Sequence, residues 1–333
     1  MGPPSTSVRW AELVAPGRRG PVTLLAAGVL LYAVDSYVVA SLLPSAIAEI
    51  GGERFYAWVT TIYLFTGVVA SVLVSRVLAV LSTRRAYLLA LAGFGVGLVL
   101  AAVSPSMPVL LVARAVQGAG GGLLAGMSYA LIRTTLPRPT WPRASAVISM
   151  MWGAGLLVGP AVGGVFAELG HWRWAFGAMT AATAVVAPGV RRALPATPAP
   201  PDARDRFPLV SVLLVGAAAA VLSVSGLARS LIPAAGGLVV ALALLGAFVV
   251  HERRTEVGVL PRATFLPGSP LRAVYVTGAV LVGASAVETF VPLFGQRLAG
   301  LAPLVAGSSG RCLGNPTPSS PGACCSRPSP PPR

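Results

Sequence analysis

The chain of 333 residues contains no lysine and only two histidines, His171 and His251. Without lysine it can form neither a Walker A phosphate loop nor a lysine Schiff base. The three cysteines, Cys312, Cys324 and Cys325, all lie near the C-terminal end, so no spacing typical of a metal site or a catalytic nucleophile is formed. We therefore expect a protein that is not an enzyme, uses no ATP and requires no metal or organic cofactor.

Charged residues are also scarce. They make up 11% of the chain, whereas 55% of the residues are hydrophobic and the mean hydropathy is +0.78. Soluble domains average about 25% charged residues, so this composition is typical of a protein embedded in a lipid bilayer. The formal net charge of +15 comes from arginines in short connections between apolar runs, not from a continuous basic patch. We expect contact with lipid and none with nucleic acid.

Nine apolar segments are long enough to cross the hydrocarbon core of a membrane, which is about 30 Å thick. They predict an all-α polytopic membrane protein with nine transmembrane spans. The segments are residues 22–42, 56–75, 86–104, 108–132, 144–167, 172–190, 208–228, 231–250 and 273–295.

The arginine distribution predicts how these spans are oriented. The N-terminal segment and the loops that follow every second span carry 17 of the 25 arginines, whereas the loops on the opposite side carry four. Loops rich in arginine and lysine stay on the cytoplasmic side of a membrane. We therefore expect a multi-pass protein of the cell (plasma) membrane with a cytoplasmic N-terminus.

Changes in composition divide the chain further. A proline-rich interruption follows the sixth span and predicts an inter-bundle linker. A pattern of acid, hydroxyl, aromatic and valine occurs in residues 34–39 and again in residues 287–292, and common origin and chance are equally good explanations of this echo. The predicted parts are a cytoplasmic N-terminus (1–21), a six-helix bundle (22–190), a cytoplasmic linker (191–207), two additional spans (208–250), a loop with the first span of an incomplete second bundle (251–301) and a tail (302–333).

The tail, residues 302–333, is rich in proline and serine. Such a sequence neither spans a membrane nor forms a packed core, so we expect it to be disordered. It is either a natural flexible tail or the product of a truncated or frame-shifted reading frame. The abrupt end of the hydrophobic pattern favours the second interpretation.

A glycine-rich run in the fifth span predicts a close helix contact. Three of its glycines are spaced four residues apart, so they lie on one helix face and let a partner helix approach closely. A proline in the same run removes one backbone hydrogen bond, so we expect a bend beside the contact, which would normally lie between two bundles. The predicted packing motif consists of Gly153, Gly155, Gly159, Pro160, Gly163 and Gly164.

Three ionisable residues lie well inside the predicted spans: Asp35, Arg114 and Glu288. An ionisable residue at the centre of a membrane helix costs about 2.5–3.5 kcal/mol, so such residues usually face a partner or a cavity. At 1.5 Å per residue, Asp35 and Arg114 both lie about 10 Å below the outer surface of the membrane core. An ion pair between them fits a static role in assembly and a proton exchange at Asp35 equally well.

Two other polar features of the spans bear on function. On the fourth span, one face carries Arg114, Gln117 and small residues, including Gly118, Gly121 and Gly122, and we expect this face to pack closely and to line a cavity. Glu288 fits either a site for a cationic substrate or a second proton, or an exposed position near the outer interface.

Four motifs resemble those of the drug:proton antiporters of the major facilitator superfamily, in particular their fourteen-span branch. The resemblance covers about residues 22–307. It implies a major-facilitator-type six-helix N-terminal bundle with about three further transmembrane helices. The motifs are an aspartate followed by an apolar run and Leu-Pro (35–44), Arg-x-x-Gln-Gly (114–118), the antiporter motif (153–164) and the region that leads into a tenth span (292–307).

The resemblance implies proton-coupled export of hydrophobic or cationic drugs or other small molecules by alternating access, with the proton gradient as the energy source. Asp35 would be the proton-linked acid and Arg114 its modulator, while Gln117 and Glu288 would be possible substrate or proton sites. One alternative is a non-transporting truncated membrane remnant or an interaction protein. An uptake symporter is a less favoured alternative.

One motif departs from the family pattern. The loop between the second and third spans usually reads Gly-x-Leu-Ala-Asp-x-x-Gly-Arg-Arg, whereas this chain has Ala79 in place of the aspartate and serines in place of the glycines. The acidic half of the usual cytoplasmic gate contact is therefore absent. Arg84 and Arg85 remain, and we interpret them as topology signals.

Overall fold

A computed structural model describes residues 15, 18–194, 196, 208–225, 231–255, 258–260, 262–266 and 268–288. The core of the predicted linker and the predicted tail lie outside these residues. Within the described ranges the chain forms ten α-helices, and short 3-10 helices occur between some of them. The helices are α1 (Arg19–Ile50), α2 (Tyr56–Val72), α3 (Val74–Val80), α4 (Thr83–Ala102), α5 (Met107–Thr135), α6 (Trp141–Glu168), α7 (Trp172–Ala193), α8 (Leu209–Ser225), α9 (Leu231–Arg254) and α10 (Pro270–Glu288).

The all-α fold is confirmed, and each of the nine predicted spans corresponds to one helix, with α3 as a short extra helix. The count of nine spans is not confirmed. Among the described residues, six helices are long and apolar enough to cross a membrane: Arg19–Ile50, Glu53–Val72, Thr83–Ala102, Met107–Arg133, Arg138–Glu168 and Ile232–Arg254.

One of the remaining helices, α7, falls short for a visible reason. α7 has 22 residues, but Arg173 follows its first residue and Arg191 and Arg192 lie in its last turn. Its uncharged part is therefore shorter than the helix.

Glycines in the left-handed backbone region end two of the long helices. Gly51, with φ of +71°, follows α1, and Gly170, with φ of +70°, follows α6. A residue with a Cβ atom is strained in this region, so glycine allows the chain to turn sharply there. These turns return α2 and α7 to the bundle.

α1 is the central helix of the bundle. It packs against α5, α6 and α7, while α5 also packs against α2 and α4. Most residues of α1 between Leu24 and Ile47 are buried. By contrast, α9 exposes apolar side chains such as Ile232 (86% exposed) and Val239 (65% exposed), as expected for a helix whose environment is lipid.

The glycine face of α6 packs directly against α1. A Cβ atom added at Gly155 would lie 2.6 Å from Cβ of Ala33, and one at Gly159 would lie 2.5 Å from Cβ of Tyr37. At Gly163 it would lie 2.5 Å from the carbonyl oxygen of α1 residue Val38. The predicted close contact is confirmed, because no side chain fits at these positions.

The predicted partner of this face is wrong. The glycines contact α1 of the same bundle, not a helix of a second bundle. Gly153 takes no part in the contact, since it is exposed and an added Cβ atom would meet open space. Gly164 is buried, and Pro160 lies inside a helix that continues to Glu168. The predicted bend at Pro160 stays a prediction.

Candidate functional site

Asp35 and Arg114 form a buried ion pair between α1 and α5. The Nη1 atom of Arg114 lies 2.7 Å from Oδ2 of Asp35. The side chains are 1% and 0% exposed, respectively. The sequence predicted a shared depth, at which a pair could form if the two helices faced each other, and the structure brings the two side chains into contact.

Arg114 has further partners on α2 and on its own helix. Nη1 also donates a hydrogen bond to Oε1 of Gln117 at 2.7 Å, one turn further along α5. Nε donates to the carbonyl oxygen of Val59 at 3.4 Å. The ring of Tyr63 lies below the guanidinium, with 3.8 Å between the ring centroid and Cζ. The cation therefore contacts an anion, an amide oxygen, a backbone carbonyl and an aromatic face.

Tyr63 connects this cation to α1. Its hydroxyl donates to the carbonyl oxygen of Tyr32 at 3.1 Å and lies 3.2 Å from Oγ of Ser36. The rings of Tyr32 and Tyr63 stack with 5.3 Å between their centroids, and the ring of Trp152 on α6 meets Tyr32 edge-on at 5.6 Å. Four helices thus contribute to the surroundings of one ion pair.

Two polar atoms of the site have no hydrogen-bond partner among the protein groups that the structure describes. They are Oδ1 of Asp35 and Nε2 of Gln117, and both are buried. Gln117 was predicted as a possible substrate or proton site, and it lies in the site next to Arg114. Its role in binding stays a prediction.

Neighbouring helices fill the space beside the small residues of α5. A Cβ atom at Gly118 would lie 2.2 Å from the carbonyl oxygen of Tyr63, and one at Gly122 would lie 2.1 Å from the carbonyl oxygen of Gly67 on α2. A Cβ atom at Gly121 would clash with the ring of Tyr32. The predicted close packing is confirmed. The expectation that this face lines a cavity is wrong at these positions, because α1 and α2 occupy the space.

Glu288 is the last residue of α10, and its side chain lies outside the described residues, so its predicted role stays a prediction. No group of histidine, cysteine, aspartate or glutamate able to hold a metal ion occurs among the residues that the structure describes.

The sequence analysis missed Tyr63, Tyr32 and Ser36. One signal could have identified Tyr63: it lies seven positions after Tyr56, which places it about 10 Å below the outer start of its span, at the depth of Arg114. An aromatic ring at the depth of a buried arginine is a candidate for a cation–π contact.

Arg84, which was interpreted as a topology signal, also has a structural contact. Its Nε donates to the carbonyl oxygen of Leu194 at 3.1 Å, at the C-terminal end of α7. The altered loop thereby connects α4 to α7 within the bundle.

The helices and this site define a multi-pass membrane protein with a charged pair held between two of its spans. The chain belongs to the Major Facilitator Superfamily, whose family profile matches residues 25–314. This is a family of transporters and not of enzymes. The resemblance to this superfamily noted from the motifs is confirmed, as is the expectation that the protein is not an enzyme.

Several known sequences are similar to the chain over most of its length. A probable multidrug-efflux transporter of Mycobacterium tuberculosis is 47% identical over 310 residues, which cover 91% of this chain and 65% of that protein. An uncharacterized MFS-type transporter of the same organism is 32% identical over 292 residues, 85% of this chain and 42% of that protein. The chain spans less than two thirds of the length of these relatives.

A similar fold occurs in the crystal structure of an auto-inhibited peptide transporter of the POT family. The superposition has a TM-score of 0.51 with 16% sequence identity, and it covers 87% of this chain and 66% of that structure. At this level of identity the similarity concerns the fold alone.

Proposed function

We propose that this protein exports hydrophobic or cationic small molecules in exchange for protons. The proposal is carried by one observation, the fully buried Asp35–Arg114 pair between α1 and α5. The 47% identity to a probable multidrug-efflux transporter supports the substrate class and the direction of transport. We further propose that the transport is coupled to protons and that Asp35 is the residue that takes up the proton.

The chemistry of the pair suits a reversible proton carrier. Burial disfavours the charged form of a carboxyl group, whereas an adjacent guanidinium favours it. A small change near the pair therefore alters the balance between the protonated and the charged form of Asp35. Oδ2 is held by Arg114, whereas Oδ1 has no partner among the described protein groups, so Oδ1 is the oxygen at which we place the proton. A substrate that changes the surroundings of Arg114 would cause Asp35 to release this proton.

We also propose that the protein lies in the plasma membrane with its N-terminus in the cytoplasm. The arginine distribution supports a cytoplasmic N-terminus and a location in the plasma membrane. With this orientation, protons enter the cell as substrate leaves. Rocking of helical bundles around a central site gives alternating access, as in transporters built from repeated halves.

The experiment uses everted membrane vesicles that contain the full chain and the cationic dye ethidium. When the vesicle lumen is made acidic, we expect dye to accumulate inside wild-type vesicles as protons leave. Asp35→Asn is expected to abolish this accumulation. The control is Glu49→Gln, which neutralises a carboxylate on the same helix that is 53% exposed and pairs with Arg173. Glu49→Gln is expected to transport like the wild type.

Three results would contradict the proposal. The first is that wild-type vesicles do not accumulate dye in response to the gradient. The second is equal accumulation by Asp35→Asn and wild type. The third is movement of the dye out of the vesicles together with protons, which would identify an uptake symporter.

A further inference from the structure

Arg114 loses its counter-ion whenever Asp35 takes up a proton. The guanidinium is 1% exposed, so water cannot solvate it without movement of the bundle. A buried charge that loses its counter-ion is strongly destabilising. The proposed exchange cycle therefore requires a group that holds Arg114 in place while Asp35 is neutral.

Tyr63 has the geometry for this task. Its ring centroid lies 3.8 Å from Cζ of Arg114, well inside the limit of about 6 Å for a cation–π contact. Such contacts are strongest where water is excluded, and the Tyr63 side chain is 1% exposed. Because tyrosine is uncharged, its attraction for the guanidinium persists when Asp35 gains a proton.

The ring itself is fixed from the side of α1. The Tyr63 hydroxyl donates to the carbonyl oxygen of Tyr32, and the two rings stack at 5.3 Å. Ser36 lies 3.2 Å from the same hydroxyl. Both of these neighbours lie on the helix that carries Asp35, so the ring keeps a constant position relative to the acid.

Few other titratable or charged groups act on the pair. Tyr32 on α1 and Tyr63 on α2 are the titratable side chains beside it. The charged residues that the structure describes on the other helices packed against α1 and α5 lie near helix ends: Arg76 on α3, Arg84 and Arg85 on α4, Arg143 and Glu168 on α6, and Arg173, Arg191 and Arg192 on α7.

We propose that Tyr63 is a positioning residue for Arg114, whose aromatic face keeps the guanidinium beside Asp35 while the acid is protonated. This inference rests on the proposed proton-coupled function. Held in this way, Arg114 stays within reach of the carboxyl group and favours release of the proton later in the cycle. Gln117 assists, since its Oε1 accepts a hydrogen bond from Nη1 at 2.7 Å.

The test follows the guanidinium directly and requires no transport. Purified full-length protein in lipid nanodiscs is labelled with ¹⁵N-arginine, and hydrogen exchange of the Arg114 Nε–H group is measured by NMR. The signal is assigned by its loss in Arg114→Gln. Asp35→Asn imitates the protonated acid. We expect slow exchange in wild type, in Asp35→Asn and in Tyr63→Leu.

The decisive protein is the double variant Asp35→Asn/Tyr63→Leu, in which we expect exchange at least about tenfold faster than in Asp35→Asn alone. Tyr63→Phe keeps the ring and is expected to retain slow exchange in both backgrounds. The matched control is Tyr87→Leu, which removes another fully buried tyrosine, one whose hydroxyl binds the Leu24 carbonyl oxygen at 2.7 Å. It is expected to have the same effect with and without Asp35.

Two outcomes overturn the inference: equal exchange in Asp35→Asn and in the double variant, or fast exchange already in Asp35→Asn. If Tyr63→Leu does not fold, fluorinated phenylalanines at position 63 weaken the attraction of the ring without changing its shape. Exchange in the Asp35→Asn background should then rise with each added fluorine, and a flat response contradicts the inference. Absence of ethidium transport by the wild type, together with slow exchange in Asp35→Asn and fast exchange in the double variant, would contradict the proposed function and leave the positioning of Arg114 by Tyr63 intact.

Discussion

The guanidinium of Arg84 binds the backbone carbonyl oxygen of Leu194, with 3.1 Å between Nε and the oxygen. These residues are 110 positions apart in the sequence. The last carbonyl groups of a helix lack partners within that helix and carry partial negative charge, so a cation at this end of α7 is stabilising. A basic residue of the altered family loop thus joins two helices of one bundle.

We expect Arg84→Ala to lower the free energy of unfolding by about 1 kcal/mol, because it removes a charge-assisted hydrogen bond at a helix end. Arg85→Ala is the matched control, since it removes the same charge from the next residue, whose side chain is exposed. Chemical denaturation in detergent measures both. Equal losses in the two variants would mean that the charge of the loop, and not the contact with Leu194, provides the stability.

The contact between α1 and α6 predicts a second pair of variants. In Gly159→Ala the new methyl group would lie 2.5 Å from Cβ of Tyr37 and 3.0 Å from the carbonyl oxygen of Val34. Such overpacking costs about 1–3 kcal/mol of stability. Gly153→Ala is the control six positions earlier on the same helix, where the added methyl group meets open space.

Thermal denaturation followed by circular dichroism should therefore give a lower melting temperature for Gly159→Ala. It should give an unchanged or slightly higher melting temperature for Gly153→Ala, because alanine is the better helix former. Similar behaviour of the two variants would contradict the close packing of α6 against α1.

A double-mutant cycle measures the energy of the ion pair apart from its role in transport. Asp35→Asn leaves Arg114 buried without a counter-ion, and we expect a loss of about 3–5 kcal/mol in stability. The double variant Asp35→Asn/Arg114→Gln removes both charges and should recover part of this loss. Additive effects of the two single changes would contradict a direct interaction between the side chains in the folded protein.

The sequence predicted the shared depth of Asp35 and Arg114 because helix geometry converts residue number into depth. The rise of 1.5 Å per residue places the two residues at one level, and the cost of isolated charges in a membrane favours a partner for each. The nine apolar runs predicted the helical architecture because each is long enough to cross the membrane core as a helix. The number of complete crossings did not follow, because arginines near both ends of α7 shorten its uncharged part.

The helix that a given face contacts is harder to predict from the sequence than the depth of a residue in the membrane. The glycine spacing on α6 identifies a face that packs closely, but every helix of a bundle offers a possible partner, and the structure places Ala33 and Tyr37 of α1 there. Tyr63 was missed because an aromatic residue in an apolar run carries no charge. Its contact with Arg114 depends on the rotation of α2 about its own axis, which the sequence pattern leaves open.

The glycine contact described above also determines which parts of the site can be displaced. Backbone atoms of α1 lie close to Gly155, Gly159 and Gly163, and such close packing opposes sliding of α1 along α6. Asp35 lies on α1, so a change in its charge cannot easily be relieved by sliding of its own helix. In the proposed cycle the acid is therefore a fixed reference point, against which the ring of Tyr63 holds the guanidinium of Arg114.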